Sequence, residues 1–281
     1  MIKHKICKIL LVILAIFLCV AFYELLGICV AYKKQPEVSN TTKKETKNGS
    51  WNECSENTER AIIIEKNPEA LLQRVRLIKN AKKEIILSTF AFQSDESGKL
   101  ILGALHDAAD RGVHIRLLVD GMDSWIDMEG NPYFYGSSSH ENVEIKLYNK
   151  ANPLKPWKMM GRMHDKYLIA DGKRYILGGR NTYNYFLGDF PGHKNYDRDV
   201  VVVCDEPEKE NSVNQLSEYF ETIWNQEDSG YFHNNKKLAN RKSVKNAVLE
   251  LQNSYQKYFE ENKERICETN YTDETFETEK I

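Results

Sequence analysis

Residues Ile9 to Tyr32 read ILLVILAIFLCVAFYELLGICVAY, 24 residues with one charge, Glu24. At 1.5 Å per residue a helix of this length reaches roughly 36 Å, enough for a hydrocarbon layer of about 30 Å. Such a segment has no place in the core of a small soluble domain. It predicts an N-terminal membrane anchor over residues 1–34. A cleaved signal peptide is the other reading, with Cys29-Val30-Ala31 as the small-residue site, but the apolar stretch exceeds a usual signal core. The bulky Ile28 before Cys29 argues against a lipid-modified cysteine. Lys3, Lys5 and Lys8 precede the stretch, and Lys33, Lys34, Lys43, Lys44 and Lys47 follow it. With lysines on both flanks, the positive-inside rule leaves the orientation open. The expected location is therefore a membrane, through one pass, on an undecided side.

The next stretch, KKQPEVSNTTKKETKNGS from Lys33, has almost nothing to bury and predicts a flexible stalk, with residues 35–60 as linker. Beyond it the chain is globular in character, with 15 Tyr and 11 Phe in the whole sequence. The expected organisation is one domain over 61–230 and a polar, partly helical tail over 231–281. Lys and Arg number 39 against 41 Asp and Glu, a net charge of −2. Dedicated nucleic-acid binders carry a basic excess, so nucleic acid is not an expected partner. Of six cysteines, Cys7, Cys19 and Cys29 lie in the apolar segment, and no CxxC or Cys/His cluster points to zinc.

Periodicity gives the order of elements. Asn67-Pro68-Glu69 starts a helix running to Lys83, with Asn67 as cap and Leu71, Leu72, Val75, Leu77 and Ile78 at helical spacing. Glu84–Phe92 is a short buried strand. Ser97–Arg111 is a second amphipathic helix closed by Gly112. Val113–Val119 is a strand ending in Asp120-Gly121, residues 122–141 a loop, and Val143–Tyr148 a third strand. Tyr167–Ala170 and Tyr175–Leu177 flank the Asp171-Gly172 turn and read as a hairpin. Val200–Val203 is a strand, Ser212–Trp224 an amphipathic helix, and Val244–Phe259 a helical stretch of the tail. This order predicts an α/β layered domain.

The chemistry concentrates in Met163-His164-Asp165-Lys166 and, after the hairpin, Gly178-Gly179-Arg180-Asn181. Alternate residues of a strand share a face, so His164 and Lys166 project together. The hairpin brings Gly178–Asn181 back beside them. Lysine supplies a cation with three donors and asparagine a neutral donor, which together suit a phosphate oxyanion. A neutral histidine beside phosphorus can form a phospho-histidine, and a second histidine can protonate the leaving alcohol. The other histidines (His106, His114, His140, His193 and His233) read as structural.

HDKYLIAD followed by GGRN resembles the phospholipase D superfamily signature, HxK(x)4D with a downstream GGxN. The segments ALLQRVRLIKNAKKEIILSTFAF, DESGKLILGALHDAADRGVHIRLLVDG and RDVVVVCDEP resemble the N-terminal half of bacterial cardiolipin synthase-like proteins, over Asn67–Asn225. The resemblance implies a mixed β-sheet between helical layers and a reaction that needs neither metal nor cofactor. It implies His164 as nucleophile, Lys166 and Asn181 as phosphate ligands beside Gly178 and Gly179, and Asp171 as support for the loop geometry. It also implies an acid holding the other nitrogen of His164, with Asp197 at the expected place and Asp199 as the alternative.

Lipid enzymes of this kind carry two HxK motifs, and here only His164 has a lysine two residues on. The second histidine is therefore expected from a second copy in a homodimer, or from another chain carrying the other motif. The tail resembles an interdomain linker, which makes a catalytically incomplete half of a split protein a further alternative. The leading expectation is a phosphodiesterase or phosphatidyltransferase acting on phospholipids at a bilayer; the rival is a dimeric endonuclease of the same superfamily. Upstream of the HxK motif, Trp157, Met159, Met160 and Met163 alternate with Lys155, Lys158 and Arg162. That mixture reads as a rim dipping into a lipid interface.

Overall fold

A computed structural model describes residues 2–33, 40, 43–44, 59–158, 160–204, 211–233, 236–272 and 276–277. The stalk expected over 35–60 falls almost wholly outside the described residues, as does Met159 of the expected lipid rim. The chain divides into two compact units.

The larger unit, 51–150 with 163–281, is built on one sheet. Its strands are β1 (Glu59–Ile64), β2 (Glu84–Thr89), β3 (His114–Asp120), β4 (Val143–Tyr148), β5 (Lys166–Ala170), β6 (Arg174–Gly178), β7 (Asp199–Cys204), β8 (Ser229–Tyr231) and β9 (Phe276–Glu277). Among the described residues the strand order is β8-β4-β3-β2-β5-β6-β7-β1-β9. β2, β3 and β4 are parallel, and β2 against β5, β5 against β6 and β6 against β7 are antiparallel. The hairpin forms as expected through a three-residue connection, Asp171–Lys173, with Asp171 (φ 56°) and Gly172 (φ 62°) both left-handed and Lys173 N donating to Ala170 O.

Both faces of the sheet are covered, the layered arrangement expected of the superfamily. On one face lie Ile85, Leu87, Ile115, Leu117, Val119 and Leu168, packed with apolar residues of α2 (Asn67–Asn80) and α3 (Glu96–Asp110), where α1 is the N-terminal helix Ile2–Lys33. On the other, Ile86, Leu118, Tyr167 and Ile169 meet Val213, Phe220 and Trp224 of a later helix, Ser212–Trp224. The period of two along each strand thus serves two cores.

Three expectations need correction. Residues 122–141 are more than a loop: α4 (Gly121–Asp127) is capped by Asp120, and α5 (Pro132–Ser138) by Asn131. Asn67 is the first helical residue and not the cap; its amide donates to Asn195 O and accepts from Arg180 Nε. After α6 (Ser212–Trp224) and the short α7 (Lys236–Ala239), the segment expected as a polar tail folds back on the domain. In α8 (Lys242–Glu261), Val244, Leu251, Tyr255 and Phe259 are buried in the main core, joined by Ile266 of α9 (Lys263–Cys267) and by Tyr271. Their spacing at roughly every fourth residue matches one helix face, but they are diluted among Lys, Asn and Glu. Arg76 ties this segment further, donating to Glu268 O and Asn270 O and stacking over the Tyr271 ring.

The smaller unit comprises 1–50 and 151–162. α1 carries a window of mean hydropathy 2.9 and is long and apolar enough to cross a membrane. Within this unit a single turn of 3-10 helix, Pro156–Lys158, lies against α1.

Candidate active site

The predicted chemistry gathers at one end of the sheet: the carboxyl ends of β2, β3 and β6 and the amino ends of β5 and β7. Open α/β sheets bind ligands beyond strand carboxyl ends.

β5 pairs Lys166 with Thr89 of β2, which sets the register of the HxK motif. The His164 side chain is exposed, with its ring edge-on to Phe90 at 4.7 Å between centroids. Lys166 is buried, donates from Nζ to His164 O at 2.8 Å, and lies 5.3 Å over the same Phe90 ring. Burial lowers the Lys166 pKa from the ordinary lysine value, and the nearby negative charges of Asp165 and Asp197 oppose that fall. Asp165, on the opposite face, accepts from Tyr219 and has its pKa raised by burial.

Asn181 is held in the same neighbourhood. Its Oδ1 accepts from Ala91 N at 3.2 Å, beside Phe90. Thr182 continues the stitching, donating from N to Ala91 O and accepting at O from Gln93 N. With Oδ1 engaged, the Asn181 Nδ2 is left as a donor.

The two glycines are explained by carboxylates. A Cβ at Gly178 would lie 2.0 Å from Asp199 Oδ1, and one at Gly179 would lie 1.9 Å from Asp197 Oδ2. Only glycine lets the strand run that close. Asp199 is engaged through one oxygen: its Oδ2 accepts from Arg74 at 2.8 Å and pairs with Arg180 Nη1 at 3.3 Å, all three side chains buried, while its Oδ1 is buried without a hydrogen-bond partner. Its contacts are with the arginine framework, and it makes no hydrogen bond to His164. Asp197 is half-buried, accepts at Oδ1 from Arg198 N, and makes no hydrogen bond to His164. No His164–Asp197 hydrogen bond is formed in the structure; Asp197 lies close enough to Lys166 to oppose, after Asp165, the lowering of its pKa by burial.

Asp171 stands apart. It lies five residues beyond Lys166, about 16 Å along an extended strand. There its carboxylate accepts from Lys82 N, Lys83 N and Glu84 N, closing the turn before β2. These three bonds tie the β5–β6 turn to the chain entering β2.

Phe90, Ala91 and Asp120 were not foreseen as site residues. Asp120, buried at the end of β3, accepts from Met122 N and Asp123 N through Oδ1, and from Met163 N at 3.0 Å through Oδ2. It therefore fixes the residue preceding His164. The Asp-Gly pair ending a strand was visible in sequence, but its partner lies 43 positions away.

Residues 74–224, more than half of the chain, match the family described as cardiolipin synthase, PLD-like domain. The chain belongs to this family, and with it to the phospholipase D superfamily. It is 30% identical over 212 residues to an uncharacterized protein of Helicobacter pylori, covering 70% of this chain and 39% of that protein. It is 29% identical over 171 residues to cardiolipin synthase C of Escherichia coli, covering 56% and 34% respectively. The chain thus spans about two fifths or less of the length of these relatives. The crystal structure of phosphatidylserine synthase from Haemophilus influenzae shares the fold, with a TM-score of 0.51 at 16% identity, over 78% of this chain and 48% of that one.

Proposed function

We propose that the chain is a membrane-anchored phosphodiesterase or phosphatidyltransferase acting on phospholipids, with a second histidine supplied by another subunit. The observation that carries this reading is the shared wall of Phe90. The exposed His164 ring and the buried Lys166 ammonium both lie against it, next to the Asn181 amide fixed by Ala91.

In this reading a phosphodiester sits with its non-bridging oxygens on Lys166 Nζ and Asn181 Nδ2. His164 attacks phosphorus, a phosphorus–nitrogen bond forms, and the bond to the leaving alcohol breaks. The departing alkoxide takes a proton from the second histidine. Water, or the alcohol of a second lipid such as phosphatidylglycerol, then attacks the phospho-histidine and returns that proton. With phosphatidylglycerol as acceptor the product is cardiolipin. Asp165 and Asp197 favour the charged form of Lys166 against the cost of its burial.

Each other described histidine of the larger unit has company elsewhere: His106 with Ser137, His114 with Glu144, His140 with Asp110, His193 with Tyr185 and His233 with Glu129. This supports a source outside the chain for the proton donor, and a second copy is the simplest one. The test is a mixing experiment in detergent with phosphatidylglycerol as substrate. An excess of His164→Ala chains should suppress wild-type turnover, because mixed pairs hold one histidine. Turnover that simply scales with the wild-type fraction would count against the shared site.

A further inference from the structure

The segment entering the HxK motif lies against the apolar helix. Within the smaller unit, a Cβ on Gly27 would stand 2.3 Å from Pro156 Cγ and 3.1 Å from Trp157 N. Gly27 and Pro156 are buried there, while most of α1 is bare. Four residues earlier, one turn up the helix, the Tyr23 hydroxyl donates to Leu154 O at 2.9 Å. The glycine is a notch cut for the loop, and the tyrosine is a latch above it.

The depth of the contact follows from helix rise. Gly27 lies six residues before Lys33, about 9 Å along the axis, and Tyr23 lies roughly 15 Å before it. Both positions fall inside the apolar run, deeper than the level at which Lys33 meets headgroups. A loop seated at that level carries its outward side chains into lipid. Those side chains are Leu154 (79% exposed), Met160 (54%) and Trp157 (45%), large apolar groups whose exposure to water is otherwise costly. Trp suits the interface between acyl chains and headgroups. Lys155, also exposed, is long enough to reach back to phosphate.

We infer that Ala151–Arg162 is a membrane-inserted loop, docked in the Gly27 notch of the anchor and immersed in the leaflet at the C-terminal end of α1. The inference rests on α1 crossing the bilayer and deepens the lipid reading above. Arg162 is joined to His164 through Met163 alone, a span of about 7 Å at most. The loop therefore tethers the nucleophile to the leaflet surface, where a lipid phosphodiester sits without leaving the membrane.

Two measurements on the full chain test this, with native cysteines replaced by serine and the protein reconstituted in vesicles of phosphatidylethanolamine and phosphatidylglycerol. An environment-sensitive fluorophore on Leu154→Cys should emit as in an apolar medium and be quenched by lipids brominated on the acyl chain. Gly27→Leu should move that emission toward water while the protein resists alkaline extraction. Water-like emission in the parent, or unchanged emission with Gly27→Leu, would each overturn the inference. Running the set on His164→Ala chains separates it from catalysis: loop insertion with no turnover by the wild type would sink the enzyme reading alone.

Discussion

Ala91 N–H donates to Asn181 Oδ1 across 3.2 Å, and this one bond decides which end of the amide faces the site. Asn181→Asp keeps the acceptor for Ala91 but replaces the outward donor with a carboxylate oxygen. The domain should fold with an unchanged melting temperature, while phosphodiester turnover falls by about two orders of magnitude or more, because an oxyanion ligand has become a repelling charge. Near-normal turnover would remove Asn181 from the phosphate site.

The two acids after the glycine pair should separate cleanly. Asp199 neutralises Arg74 and Arg180 in a buried triad. Breaking such a cluster from one side typically costs about 3–5 kcal/mol, since charges are left buried and uncompensated. Asp199→Asn should therefore lower the denaturation midpoint strongly. Asp197→Asn, at a half-buried position, should leave stability within about 1 kcal/mol and slow turnover roughly tenfold, with its loss growing as pH rises because Lys166 then loses its proton more readily. The opposite assignment of effects in urea titrations and rate profiles would show that the acids are misread.

His106 gives a pH signature of stability. Buried beside Ser137, its pKa is lowered from 6.5 to about 4 by burial. Between those values the unfolded chain takes up a proton that the native chain refuses. Its contribution is thus intact above pH 6.5 and lost as pH falls toward about 4, a difference on the order of 3 kcal/mol. His106→Gln, which keeps an amide partner for Ser137, should flatten this part of the stability–pH curve. An equal slope in both proteins, measured by chemical denaturation, would mean His106 is not held neutral.

Much of the fold is written locally. The Asp171-Gly172 turn, the strand it joins to, and the helix Ser212–Trp224 are each set by neighbours a few positions away, and the structure has them where periodicity puts them. β1 was missed, although Ala61–Ile64 is apolar, because its identity as a strand comes from pairing with β7, some 140 residues on. The Arg74–Asp199–Arg180 triad was equally hidden. A charged residue on the buried side of a helix looks like an error of amphipathicity until its long-range partner is placed. At the site, His164, Lys166 and Asn181 were readable because one hairpin unites them. Phe90 and Asp120 were not, since a strand-end phenylalanine and an Asp-Gly turn are both ordinary.

The nucleophilic role of His164 is the centre of the account. The most direct measurement is mass spectrometry of the full-length protein, quenched without acid during turnover of a short-chain phosphatidylglycerol. The account predicts a phosphatidyl adduct on the peptide carrying His164, absent from His164→Ala, together with loss of turnover in that variant at an unchanged melting temperature. A folded His164→Ala protein that turns over lipid as fast as the wild type, with no adduct on either chain, would contradict it.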